Sequence, residues 1–408
     1  MRWSPLLLSL LWAQDTIRVL TYNLLNYGQT PGYCLTDCKD RQLRTIIGFV
    51  QPDLIVFNEI APYPQYVRRL LDSVLNIGGV SYWRSGIFPS NLTGDRLSMV
   101  YYDSRRFAYE KQELITTQGG LRDVYAFHLY YREPDLATHQ DTLFVVVIAS
   151  HLKAGPNASD ANTRAQAALA IRNYIQALPP NRQRWVLDMG DHNLYGASET
   201  AYQRLTEVLI DPGPAGEWDR NSTYAYYHTQ STRLSSLADG GSGGGLNSRF
   251  DFILFSPACT LSTAKARYLP GSHKVIAQDG LHFGKSLLDP PQVAGYSQAV
   301  LNALYMVSDH LPVVAEFALN VTSALTALPL AGEQPNFQVR VEPGYLEVTA
   351  EVPGKVVVYD LRGQQVEAGH LSPGSSFSLT LPAGVYLLQG LPEKGSQPAL
   401  WQQKVLVP

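Results

Sequence analysis

Apolar runs that stop abruptly at a polar side chain recur along the first three quarters of the chain. The run IRVLTYNL, Ile17 to Leu24, predicts a strand whose end carries Asn23. From about Arg41 to Val50, apolar residues at Leu43, Ile46, Ile47 and Val50 keep helical spacing until Pro52 closes the segment. A second apolar strand, Asp53 to Phe57, ends at Asn58 and Glu59. A helix over Tyr63 to Leu75 and strands over Leu97 to Tyr102 and Leu143 to Ala149 follow. After the last of these comes Ser150-His151-Leu152-Lys153-Ala154-Gly155, another polar strand exit. Asp160 or Thr163 then caps a helix from about Arg164 to Leu178, which Pro179-Pro180 ends. The central run, WVLDMGDHN from Trp185 to Asn193, passes from apolar residues through Gly190 to a carboxylate, an imidazole and an amide. If the strand continues, Asp191 and Asn193 share one face and His192 the other. Taken alone, the same residues describe a strand that ends in a turn. Arg249 to Phe255 is a strand containing Asp251, and Ser308-Asp309-His310 precedes a strand from Leu311 to Leu319. Strands alternating with helices predict a layered core of both.

The pattern changes after residue 320. Residues 321–336, rich in Thr, Ala, Leu and Pro, read as a linker. Residues 337–408 carry short alternating runs, VVVYD at 356–360, SFSLTL at 376–381, VYLLQ at 385–389 and QKVLV at 403–407, between Gly or Pro turns. They predict a small all-β sandwich. The loop GGSGGG, residues 240–245, is expected to be flexible; a strand follows it and no helix does, so it is unlike a dinucleotide-binding loop.

Composition adds bounds. The chain has 408 residues, 45% hydrophobic and 16% charged, enough for two or three domains with a large core. Lys and Arg number 32 against 35 Asp and Glu, so no global basic field marks nucleic-acid binding, although a local basic groove is compatible with that balance. Residues 1–14, one Arg followed by a Leu-rich run and Ala13, have the pattern of a short secretory signal peptide and are too short to span a bilayer. Three cysteines form no zinc-type spacing. In an oxidising compartment Cys34 and Cys38 can close a small loop disulfide, leaving Cys259 as a buried thiol.

YNLLN, DLIVFNE, SHLKAG, MGDHN, RFDFIL and SDHLP, in that order over Ile17 to Leu319, resemble the endonuclease/exonuclease/phosphatase superfamily, which includes deoxyribonuclease I. The resemblance implies an α+β four-layer αββα sandwich over residues 15–320 and a metal-dependent phosphoesterase. It implies that Glu59, Asp309 and Asn23 surround a divalent metal, Mg²⁺ with Mn²⁺ or Ca²⁺ as alternatives, because hard cations choose carboxylate oxygen and leave room for a phosphate. It implies that Asp191 orients or deprotonates water while Asn193 holds a phosphate oxygen. His310 would contact the scissile phosphate, held by Asp251. His151 would assist the leaving oxygen or stabilise the phosphate charge, with Asp95 behind it. Asn23, Asn193 and Lys153 would be the substrate contacts, Lys153 reaching either phosphate or water. Asn58 stands where many members carry Gln, one methylene longer. His192 stands where an apolar residue is usual, either as a satisfied core histidine or as a polar group under the site. Asp188, inside an apolar strand, requires a partner or solvent.

VVVYDLRGQQV, LPAGVYLLQG and the final KVLVP resemble the C-terminal sorting domain of the type IX secretion system. The combined expectation is a protein exported through the periplasm to the surface or medium, with the secretion machinery as partner. Its activity is that of a phosphodiesterase, with extracellular nucleic acid as substrate and Tyr101, Tyr102, Tyr130 and Tyr131 as stacking candidates. A sphingomyelinase-like or small-molecule phosphoesterase, and a noncatalytic surface binding protein on the same fold, are the competing readings.

Overall fold

The structure, a computed structural model, describes residues 15–29, 32–133, 136, 141–320, 337–342, 344–350, 353–359, 365–382, 384–392 and 401–407. The expected signal peptide and the linker at 321–336 lie outside these residues. The chain divides into one compact unit up to Val321 and a second from Thr322 to Pro408.

In chain order the first unit runs β1 (Asp15–Tyr27), α1 (Thr36–Val50), β2 (Leu54–Ile60), α2 (Pro64–Leu70), β3 (Trp83–Ser85), β4 (Leu97–Asp103), β5 (Phe107–Thr116), β6 (Val124–Tyr131) and β7 (Phe144–His151). It continues through α3 (Ala158–Ala177), β8 (Val186–Asp191), α4 (Thr200–Thr206), β9 (Asp251–Phe255), β10 (Ala266–Tyr268), β11 (Lys274–Val275), α5 (Gln298–Val307) and β12 (Val313–Leu319). One sheet has the order β10-β12-β1-β2-β4-β3, with β11 beside β12, and the other β5-β6-β7-β8-β9. Alternate residues of β7 divide between two cores. Val145, Val147 and Ala149 join Leu187, Met189 and Ile253 in the core shared with β1, β2, α1 and α5. Val146 and Ile148 join Ala167, Ala168 and Ile171 of α3 and Leu205 of α4. Period-two alternation thus builds helix, sheet, sheet, helix: the four-layer sandwich. Among the described residues no helix is long and apolar enough to cross a membrane.

Several boundaries differ from those the sequence predicts. Helix α1 begins at Thr36, five residues early, because Lys39 and Asp40 point inward and are buried. Helix α3 begins at Ala158 after Asn157; Asp160 is taken by an ion pair with Lys153 at 3.0 Å. The sequence pattern left out β5, which after its first two residues is partly exposed and mixes polar with apolar side chains, and β6, which is almost wholly buried. Tyr101, Tyr102 and Tyr131 are core residues, which removes them as stacking surfaces.

The second unit holds β13 (Phe337–Glu342), β14 (Tyr345–Ala350), β15 (Gly354–Tyr359), β16 (Gln365–Leu371), β17 (Ser376–Thr380), β18 (Gly384–Pro392) and β19 (Trp401–Val407). They form antiparallel sheets β13-β14-β17 and β16-β15-β18-β19 around Leu346, Val348, Val356, Val358 and Leu388, the small all-β sandwich expected there.

Beneath the exit of β8, polar groups are packed without water-facing surface. Ser150 Oγ donates to Asp188 Oδ1 at 2.5 Å, and His192 Nε2 stands 3.1 Å from Asp188 Oδ2, an ion-pair distance without hydrogen-bond alignment. Burial opposes a charge on His192, but Asp188 outweighs it and raises the imidazole's proton affinity. Asp188 therefore has the partner its burial demands. Gly190, at φ +147°, passes so close to β7 that an added Cβ would lie 1.8 Å from Ser150 O. Gly190→Ala is expected to destabilise the first unit by about 3 kcal/mol or more, read from its urea unfolding midpoint; an unchanged midpoint would contradict this close approach.

Candidate active site

Strand register brings the polar exits together. His151, Asp191 and Asp251 occupy one rung across β7, β8 and β9, while Asn23 pairs with Asn58 across β1 and β2 of the facing sheet. Their parity follows Ala149, Met189 and Ile253, so all three side chains of the rung face the space between the sheets at its open end. Glu59, next after Asn58, adopts φ +57° as β2 breaks register, and Asn193 adopts φ +49° just past β8. Left-handed backbone at non-glycine residues costs roughly 1–3 kcal/mol where it is over-determined by its surroundings. Here it falls on two residues of the site.

One amide joins the sheets. Asn23 Nδ2 donates to Glu59 Oε1 at 3.1 Å and to Asp191 Oδ2 at 3.0 Å. Asn58 is a strut below them. It donates to Ser98 Oγ at 2.8 Å and Ser150 O at 2.9 Å, and accepts from Asp191 N–H at 3.2 Å. His151 Nε2 lies 3.7 Å from Glu59 Oε1 and 3.6 Å from Asp191 Oδ2. Burial, then the charges of Arg122, His310 and Arg96, hold its imidazole well below the usual value, so the ring is neutral. Burial pushes the Asp191 carboxyl up to about 7, against the pull of His310. Asn193 is nearly buried, its N–H donating to Asp191 Oδ1 at 3.0 Å and its Nδ2 to Leu152 O at 3.1 Å.

His310 Nδ1 stands 2.7 Å from Asp251 Oδ2. Burial opposes its charge, yet Asp251, Asp309 and Asp191 outweigh this and raise its proton affinity well above the ordinary range. The amide nitrogen of Gln230 lies 2.7 Å from His310 Nε2 and 3.0 Å from Asp309 Oδ2. One NH₂ serves both while the ring carries its proton on Nδ1, so protonation of Nε2 requires the Gln230 amide to turn its oxygen to the ring or to withdraw. Asp309 Oδ2 also accepts from Ser242 N–H at 2.7 Å, leaving Oδ1 buried without a partner.

Three groups, Glu59, His151 and Asp191, place ligand atoms within 4.8 Å of one another. Two carboxylates and an imidazole fit a divalent cation, with Mn²⁺ tolerating the nitrogen better than Mg²⁺. Asp309 stands outside this set. Lys153 is drawn to Asp160 and to Ala154 O, not to the carboxylates. Asp95 is largely exposed and paired with Arg96 at 3.4 Å, so it gives His151 no support, and Nδ1 of that ring is buried without a partner.

The glycine run is packed, contrary to the flexible loop its composition predicts. Gly244 N–H and Gly245 N–H bond to Leu234 O and Arg233 O at 2.9 and 2.8 Å, and Ser242 holds Asp309. Glycine is required where an added Cβ on Gly245 would lie 2.4 Å from the backbone of Gly284. Gln230, Arg122 and Lys39 escape sequence reading because none stands in a motif at a strand exit. Burial pushes the Lys39 ammonium down to about 7, with Asp239 and Glu59 opposing.

The raised Asp191 carboxyl fixes a sign. Its folded pKa of about 7 exceeds the unfolded value of roughly 3.9, so this group's contribution to stability falls as pH rises from about 4 through about 7. A cation reverses that loss. Thermal melts should therefore show a larger gain from Mn²⁺ over chelator at about pH 8 than at about pH 5.5; an equal gain at both would contradict a buried, protonating carboxylate at the site.

No family model matches the sequence, and no curated protein matches it. Among solved structures the chain is similar to D. rerio TDP2 complexed with single-strand DNA product, at 16% identity and TM-score 0.48, covering 74% of this chain and 99% of that one. It is similar to the human Nocturnin catalytic domain with bound sulfate, at 17% identity and TM-score 0.46, covering 75% and 98%. An endonuclease/exonuclease/phosphatase from Beutenbergia cavernae gives 15% identity and TM-score 0.43, covering 96% and 100%.

Proposed function

We propose that the chain is a divalent-metal-dependent phosphodiesterase, and that its substrate is nucleic acid. The observation that carries the reading is the Asn23 amide holding carboxylates of two sheets beside the Asp251–His310 pair. Glu59, Asp191 and His151 would hold the cation, Mg²⁺ or Mn²⁺, which supplies positive charge to the phosphate oxygens. Asp191, once ionised, takes a proton from water aimed at phosphorus. His310, charged when Gln230 gives way, neutralises a phosphate oxygen, and Asp251 fixes its ring. The departing oxygen takes its proton from water, because neutral His151 turns Nε2 to the cation side and has no proton there to give. Water and a phosphodiester thus give an alcohol and a phosphomonoester.

Beside Glu59 a cavity of about 450 Å³ is lined by Asn26, Gln29, Asp95, Arg96, Arg122 and Gly240. Arg122 donates to Leu152 O at 2.7 Å and has no carboxylate in ion-pair range among the described residues. A free guanidinium beside the reacting centre favours a substrate with a further phosphate over a zwitterionic lipid. We also propose that the protein is exported and that the second unit is its sorting domain. This rests on the signal-like residues 1–14 and the AGVYLL and KVLVP runs.

Purified protein should cleave plasmid DNA or RNA with Mg²⁺ or Mn²⁺ and stop on chelation; absence of turnover on these, on sphingomyelin and on a generic phosphodiester would defeat the enzyme reading. Asp191→Ala and His310→Ala should each lower turnover by about 100-fold or more with an unchanged circular dichroism spectrum. Deleting residues 337–408 should leave turnover intact and block export in a host with type IX secretion; normal secretion would refute the sorting role.

A further inference from the structure

Lys39 is a fully buried ammonium that would touch neither substrate nor cation. Its Nζ donates to Leu24 O at 2.6 Å and to Leu25 O. These two carbonyls converge because Leu25 and Asn26 adopt left-handed backbone, φ +47° and +57°, as β1 nears its end. Such a turn is costly for non-glycine residues and needs an outside partner. The turn aims the next groups at the site. Asn26 N–H donates to Glu59 Oε2 at 3.1 Å, and Leu25 N–H donates to Asn23 Oδ1 at 2.9 Å. With its oxygen held, Asn23 presents Nδ2 to Glu59 and Asp191.

What holds Lys39 is the first turn of α1. Its N-cap, Leu35, offers no side-chain bond, and a Cys34–Cys38 disulfide closes the turn instead. The next residue after Lys39, Asp40, grips the same strand by accepting from the Tyr27 hydroxyl at 2.5 Å, and it also accepts from Arg69 Nε of α2 at 2.8 Å. Cys38 is partly exposed and within reach of a thiol.

We propose that Lys39 is a positioning residue for the metal-binding carboxylates, held in register by the Cys34–Cys38 disulfide, so that cation affinity depends on the redox state of this cysteine pair. A dithiol reductant would break the S–S bond by delivering two electrons and two protons, leaving two cysteine thiols and its own disulfide. The first turn of α1 then loses its closure, and the carbonyls of Leu24 and Leu25 lose a fixed cation.

The inference rests on the phosphoesterase reading for the presence of a cation, and the test separates the two. Mn²⁺ binding to the full chain is measured by electron paramagnetic resonance of free Mn²⁺, beside a melting curve. If oxidised wild type and Glu59→Gln bind equally poorly, the metal reading itself fails. If wild type binds, Lys39→Met should lose about tenfold or more in Mn²⁺ affinity below its melting temperature. Wild-type affinity in that variant with only a lower melting temperature would make Lys39 merely structural and overturn the proposal. Should Lys39→Met not fold, reduced wild type and Cys34→Ser/Cys38→Ser carry the test. Both are expected to bind more weakly than oxidised protein, and unchanged affinity in both would overturn it.

Discussion

Two carboxylates from different sheets, Glu59 and Asp191, lean on a single side-chain amide, that of Asn23. Without it the like charges would face each other at the mouth of an apolar core, and the Asn58 strut beneath would be left to hold the two sheets there. Hydrogen bonds to charged groups contribute about 1.5–3 kcal/mol each. The amide cannot neutralise them, however, because it carries no charge. Burial pushes the Asp191 carboxyl up to about 7, with Asp251 and Glu59 adding to the rise, and leaves a pair of carboxylates that a cation would balance.

The floor under this contact limits what residues the strands can carry. Asn58 reaches β4 and β7 together, and its oxygen holds the backbone of Asp191. A longer side chain would need more room where Gly190 already brings β8 against Ser150. Asp188, Ser150 and His192 fill the opposite face of the same strands, buried and mutually paired. An apolar strand tolerates the Asp188 carboxyl because the imidazole of His192, four residues on, stands 3.1 Å from it and Ser150 donates to its other oxygen.

The rim is assembled from segments remote in sequence. The glycine run contributes backbone, not flexibility, through Ser242 N–H on Asp309. Gln230 ties Asp309 to His310, and the loop carrying Arg122 is bolted to the strand exit through Gln118 Nε2, which donates to His151 O at 2.8 Å. Charge on the two histidines diverges as a result. His310, surrounded by carboxylates, favours the proton despite its burial, while His151, fully buried and near Arg122, refuses it.

Much of this was legible in the sequence, and for one reason. A buried strand must be apolar, so a polar residue at its end marks where the chain meets solvent or chemistry, as at Asn23, Glu59, His151, Asp191 and Asp251. The alternation that buries Val147 and Ala149 also sets which face His151 takes. Sequence periodicity therefore predicted most of the strands and a layered core of strands and helices, while the four-layer sandwich and the roles of the candidate groups came from the resemblance those motifs carry. It carried no information on partners, because a hydrogen bond between residues 168 positions apart depends on register and sheet packing, not on local pattern. Only the tertiary structure put Asp95 on the surface, turned Lys153 toward Asp160, closed the glycine run and buried Lys39. Each of those outcomes was decided by which charge or carbonyl lay within reach once the two sheets had met.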